Sequence, residues 1–181
     1  MKLIDTALPE VKRIALDVFP DARGFFAERY VEEKFHDLGI TDHFLQDNHS
    51  RSWPGVIRGM HFQFDQPQGK LVGVMRGRIL DVAVDVRPHS PNFGKHVGVE
   101  LEANTELLWI PPGFAHGFCV LDEEPADVLY KVTAPFNPQG EGGIRFDLID
   151  WPVKNPTLSA RDQALPTLAE AKEQLNTWFP V

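Results

Sequence analysis

The sequence predicts an all-β protein, a sandwich of antiparallel strands with short peripheral helices and a C-terminal helix. Three stretches carry the prediction. Leu80, Val82, Val84 and Val86 alternate with Asp81, Ala83 and Asp85. Val97, Val99 and Leu101 repeat the same period, and Val128, Tyr130 and Val132 share one face of a third run, with Leu129 and Lys131 on the other. That period of two is the mark of strands with one face toward a core. A jelly roll satisfies such repeated strand signals as well as any other sandwich.

Taken in order, the chain begins with an extended segment around Val11, Arg13, Ile14 and Leu16, interrupted by Pro9 and ended by Pro20. The Asp21-Ala22-Arg23-Gly24 turn leads to Phe25 and Phe26, one of which is a candidate for core packing. A short helix is expected over Val31 to Leu38, with Gly39 as its C-terminal cap. By composition the polar run Gln46-Asp47-Asn48-His49-Ser50 reads as a loop, or else as a strand facing a cavity. Gly55 to Val86 reads as sheet, turning at Arg76-Gly77 and carrying His61 and Lys70 on a β scaffold. Arg87 to Gly94 and Pro135 to Gly143 are loops rich in Pro, Gly and Asn. Trp151-Pro152 opens an irregular segment that holds Arg161 and Asp162. Thr167 with Glu170 forms a capping box for a terminal helix, Leu168 to about Trp178, with Leu168, Ala171, Leu175 and Trp178 on one side.

With 181 residues, a single domain over 1–181 is expected, large enough to bury roughly 70% of the surface of its unfolded chain. Apolar residues make up 43% and charged residues 24%, and no apolar run approaches the length of a membrane span. The N-terminal residues lack a signal peptide's apolar centre, and the single Cys119 cannot form an internal disulfide. These features predict a soluble, cytoplasmic protein. A net charge of -8 gives no diffuse attraction for nucleic acid or anionic membrane. An anionic small molecule must instead be gripped by a few placed arginines.

Two motifs stand about fifty residues apart: G-x5-H from Gly55 to His61, and P-x-G-x-x-H from Pro111 to His116. Together they resemble the paired signature of cupins, which implies a double-stranded β-helix, or jelly roll. Metal-binding cupins continue the first motif as H-x-H and then a Glu. Here Gln63 and Gln68 occupy those places, and neutral amides are poor ligands for divalent transition metals. No metal or other cofactor is therefore expected, and His61 reads as a base rather than a ligand.

Further motifs extend the resemblance: F-x-D-x-R-G-F-F-x-E from Phe19 to Glu28, Q-D-N-H-S from Gln46, G-V-I-R-G-M-H-F-Q from Gly55, Q-G-K-L-V from Gln68, A-H-G-F from Ala115, L-Y-K from Leu129, and Arg161-Asp162. In this order they resemble the dTDP-4-dehydrorhamnose 3,5-epimerases, sugar-nucleotide isomerases on a cupin core. The resemblance implies a nucleotide-linked 4-keto-6-deoxy sugar as substrate and proton abstraction beside its ketone. Imidazole, with an unperturbed pKa of about 6.5, suits His61 as the base. The resemblance pairs Asp162 with it and makes Tyr130 the proton donor, and Lys70 is a compact cation able to stabilise the negative charge that develops on the 4-oxygen. Arg23, Glu28, Gln46, Asn48, Arg58, His116, Glu141 and Arg161 fall at ligand-contact positions. Taken alone, Arg23 in its glycine turn reads as a solvated side chain, and His116 also reads as a structural cupin histidine. His36, His43, His49, His89 and His96 read as surface residues. Phe136 stands where some members have Tyr, which bears on how the sugar phosphate is held and whether both carbons are epimerised.

The resemblance further implies a homodimer, in which an N-terminal strand extends the partner's sheet and Arg23 and Glu28 reach the neighbouring site. Other readings are an epimerase acting on one carbon or on another nucleotide, a metal-dependent cupin, and a sugar-nucleotide-binding module without catalysis. Gln63 and Gln68 disfavour the metal enzyme. A mere binder has no need for His61, Lys70, Tyr130 and Asp162 together.

Overall fold

In a computed structural model that describes residues 1–180, the chain forms two antiparallel sheets packed face to face. The strands are β1 (Lys2–Ile4), β2 (Lys12–Ala15), β3 (Val18–Asp21), β4 (Gly24–Ala27), β5 (Gln46–Ser52), β6 (Ile57–Gln63) and β7 (Lys70–Arg76). They continue as β8 (Arg78–Asp85), β9 (His96–Glu102), β10 (Glu106–Ile110), β11 (Phe114–Val120), β12 (Ala126–Val132) and β13 (Glu141–Gly143). Three α-helices, α1 (Glu32–Asp37), α2 (Ala160–Gln163) and α3 (Leu168–Trp178), lie outside the sheets.

One sheet has the order β1-β2-β10-β7-β12-β5 and the other β13-β6-β11-β8-β9, while β3 and β4 form a separate hairpin. Consecutive strands are repeatedly divided between the sheets, as in the double-stranded β-helix of cupins. The core between the sheets is built from Val72, Val74, Leu108 and Val128 on one side and Ile79, Ala83, Leu101, Phe114 and Phe118 on the other.

The most regular strand differs from its simplest reading. Val82, Val84 and Val86 face outward, beneath Ala171 and Leu175 of α3, whereas Ile79 and Ala83 share the inner face with Asp81 and Asp85. Because α3 covers the outer side, β8 is buried on both faces, and its two aspartates lie in the interior. Leu168 and Trp178 join the same outer cluster, so α3 packs by the side its pattern indicated. Its capping box is present, with the Thr167 hydroxyl accepting from Glu170 N and the Glu170 carboxylate accepting from Thr167 N.

Gly39 has φ +72°, the left-handed conformation of a C-terminal helix cap. Phe25 and Phe26 depart from the expectation that one of them packs in the core. They are 56% and 67% exposed on the hairpin, beside Phe19 at 57%.

Candidate active site

The polar run from Gln46 is a strand after all. Every residue of β5 is paired with β12, from Gln46↔Val132 to Ser52↔Ala126. Alternation sends Gln46, Asn48 and Ser50 into a cavity of about 740 Å³. The outward residues fasten the edge to its neighbour: Lys131 donates to Asp47 at 2.9 Å, and Arg51 Nε and Nη2 donate to Asp127 at 2.9 and 2.8 Å.

The opposite wall is β6 and β11. His61 and His116 are direct cross-strand partners. Close backbone approach is needed here: a Cβ on Gly59 would lie 2.5 Å from the His116 carbonyl oxygen, and one on Gly117 2.6 Å from that of Arg58. Gly59 also has φ +107°, where a side chain is strained.

Asp162 reaches His61 through the irregular tail. Thr157 bridges Val56 in parallel, with Thr157 N bonded to the Gly55 carbonyl and Ile57 N to that of Thr157. Ser159 then caps α2 by accepting from Asp162 N at 3.1 Å. The result is a 2.7 Å bond from His61 Nε2 to Asp162 Oδ1 across 101 residues of sequence. Burial is the strongest influence on Asp162 and opposes its charge, yet hydrogen bonds led by that from His61 hold its pKa below the ordinary carboxylate value. An ionised carboxylate only accepts, so Nε2 carries the proton and Nδ1 is left to act as a base. Glu141 Oε1 stands 4.0 Å from Nδ1. Its other oxygen lies 2.6 Å from Arg161 Nη2, close as an ion pair but without hydrogen-bond geometry.

Lys70 is buried and donates to the His61 carbonyl at 3.2 Å. Burial pulls its pKa down to about 8, against the opposing pull of the Glu141 and Asp81 carboxylates. Tyr130, from the sheet opposite His61, is half-buried. Its pKa is raised by burial, an effect that Glu141 adds to and Arg58 offsets.

The structure thus brings His61, Lys70, Tyr130, Asp162, Gln46, Asn48, Arg58, His116, Glu141 and Arg161 to one cavity, together with Phe136. Arg23 and Glu28 are not among them. Arg23, whose side chain is 90% exposed, pairs with Asp21, and Glu28 pairs with Lys34, so neither reaches the cavity of its own chain. The other five histidines are exposed as expected.

Asp81 is the residue that the sequence reading missed. It is 0% exposed and hydrogen-bonded to His116 Nε2, while its Oδ2 has no hydrogen-bond partner. In the alternation it counted as the face away from the core; an acidic residue recurring between valines was the available signal.

Gln63, at the second cupin position, uses its amide to donate to the Gln66 and Pro135 carbonyls, and Gln68 donates to that of Ala134. Among the described residues no three His, Cys, Asp or Glu side chains gather as a metal site requires. No helix among them is long and apolar enough to cross a membrane.

Fold and site define a cupin-type enzyme equipped to move protons, with a His–Asp pair, a buried ammonium and a phenol around one cavity. The family model described as dTDP-4-dehydrorhamnose 3,5-epimerase matches residues 5–170, and the chain belongs to that family of isomerases. The epimerase of that name from Salmonella typhimurium is 48% identical, over 94% of this chain and 97% of its own. The one from Neisseria gonorrhoeae is 47% identical over 96% of this chain, which spans about half (54%) of that longer relative. A crystal structure of the Legionella pneumophila 3,5-epimerase in complex with dTDP-4-keto-L-rhamnose superposes with a TM-score of 0.92 at 45% identity, covering 96% of both chains.

Proposed function

We propose that the protein epimerises C3 and C5 of dTDP-4-dehydro-6-deoxyglucose, giving dTDP-4-dehydrorhamnose for deoxysugar biosynthesis. The observation that carries the reading is the pair of His61, on one sheet, with Asp162, facing Tyr130 from the other sheet, with the buried Lys70 and Glu141 lining the same cavity. His61 Nδ1 takes the proton from the carbon beside the ketone, and the C–H electrons pass into an enolate. Asp162 stabilises the imidazolium that forms. The Lys70 ammonium stabilises the charge on the 4-oxygen. Tyr130 delivers a proton to the carbon from the opposite wall, inverting it and becoming tyrosinate. Once His61 has given up its proton and the tyrosinate has regained one by exchange with solvent, the same parts act on the second carbon.

Arg58 binds the diphosphate, and Gln46 and Asn48 the nucleoside. His116, Glu141 and Arg161 line the sugar end. Every step uses the chain's own side chains, so exhaustive chelation should leave the rate unchanged. Activity that is lost and then restored by one specific divalent ion contradicts His61 as the base. The active form in this reading is a cytoplasmic homodimer of single-domain chains. Its exposed hairpin carries Arg23 and Glu28 toward the neighbouring cavity.

Incubation with dTDP-4-keto-6-deoxyglucose in deuterated water, followed by NMR of the sugar, tests the reaction. Deuterium at both C3 and C5 of a rhamno-configured product is expected. Label at one carbon alone makes the protein a single-carbon epimerase, the outcome that Phe136 in place of Tyr keeps in play.

A further inference from the structure

Arg58 stands on β6, yet its guanidinium is held by β5 in the opposite sheet. Its Nε donates to Ser52 Oγ at 2.7 Å and its Nη2 to the Arg51 carbonyl at 3.1 Å. Two bonds to a planar group fix both its plane and its rotation. The N–H groups that remain, at Nη1 and Nη2, form the fork that matches phosphate oxygens.

The anchor itself is firm. Ser52 is 1% exposed, whereas Arg58 is exposed. Arg51, whose carbonyl takes the second bond, is locked through its side chain to Asp127 on β12, a carboxylate that His49 Nε2 also meets at 3.0 Å. A long, mobile cation is thus set at the cavity wall by a buried hydroxyl that has no part in the chemistry. We infer that Ser52 is a positioning residue for substrate binding, its hydroxyl presenting the Arg58 fork to the diphosphate of the nucleotide sugar.

The inference rests on the reading of Arg58 as the phosphate contact. Without the Ser52 hydroxyl only the Nη2 bond to the Arg51 carbonyl remains, the guanidinium can turn about it, and the rest of its ordering is charged to ligand binding. The phosphates are remote from the reacting carbons, so the loss falls on KM rather than kcat.

The test is titration with dTDP, and kinetics with dTDP-4-keto-6-deoxyglucose, for Ser52→Ala, Arg58→Ala and the double variant. Ser52→Ala should weaken dTDP binding and raise KM on the order of tenfold, the size of one lost hydrogen bond to a charged group. It should add little once Arg58 is already Ala. Ser52→Cys fills the same buried space with a poor acceptor and should behave like Ser52→Ala, which keeps the test decisive if the alanine variant folds badly. Unchanged dTDP affinity in Arg58→Ala overturns the reading of Arg58 itself. If Arg58→Ala weakens binding while Ser52→Cys keeps the wild-type KM, or if the two losses add independently, the positioning role alone is overturned.

Discussion

Two carboxylates decide what the two cavity histidines can do. Asp162 accepts a hydrogen bond from Nε2 of His61 and Asp81 one from Nε2 of His116, so each ring turns Nδ1 to its free side. Asp162→Asn keeps the shape but removes the charge that fixes the tautomer and stabilises the imidazolium. It should lower kcat by about 10² to 10⁴ with little change in KM, measured by steady-state kinetics. Lys70 sets a different limit. Its pKa of about 8 lies below the ordinary lysine value, so the ammonium is present below that pH and lost as pH rises through it. The kcat/KM profile, which follows the free enzyme, should therefore fall on an alkaline limb near pH 8. Tyr130 is shifted upward and stays protonated across that range, so the limb belongs to the lysine. A profile flat to pH 10 contradicts the role of Lys70. His61, Lys70 and Tyr130 were legible because each sits in a local motif. Asp81 was not, since its partner lies 35 residues away and a strand pattern does not say which face is covered from outside.

Among the elements, β5 shows where local pattern fails. Its composition is that of a loop, and it becomes a strand because β12 supplies a seven-residue ladder and its outward charges find Asp127 and Lys131. Tertiary pairing overrode propensity. For β8 the alternation correctly gave a strand with its valines in a core, but not that this core lies under α3 while the aspartate face is buried as well, because a second covering layer is not in the local pattern. The terminal helix was fully legible, since its cap and apolar side are both local. It holds the outer face of the β6–β11–β8 sheet rather than the site. Leu175→Ala should cost about 2–5 kcal/mol and Thr167→Ala about 1 kcal/mol, both read from urea denaturation. If either variant lost kcat in proportion while still folded, α3 would have a part in catalysis that its position does not suggest.

For the whole molecule, the division of strands between sheets was legible only through the paired cupin motifs, because no local pattern says which strands pair. The β3–β4 hairpin marks the remaining gap: it displays Phe19, Phe25 and Phe26 and holds Arg23 away from its own cavity. Light scattering should give a homodimer. Phe25→Ser with Phe26→Ser should shift it toward monomer and lower activity, and Arg23→Ala should weaken substrate binding; a fully active monomer contradicts the arrangement. The two-sheet barrel also sets His61 and Tyr130 on opposite walls, and the proposed division of labour between base and acid rests on that placement. It is tested most directly by following deuterium from solvent into dTDP-4-keto-6-deoxyglucose with His61→Ala and Tyr130→Phe. No exchange is expected in His61→Ala. In Tyr130→Phe, wash-in with retained configuration is expected, because His61 still forms and reprotonates the enolate, with inverted product slowed by about 10² or more. Normal exchange in His61→Ala, or inversion at the wild-type rate in Tyr130→Phe, would contradict that division.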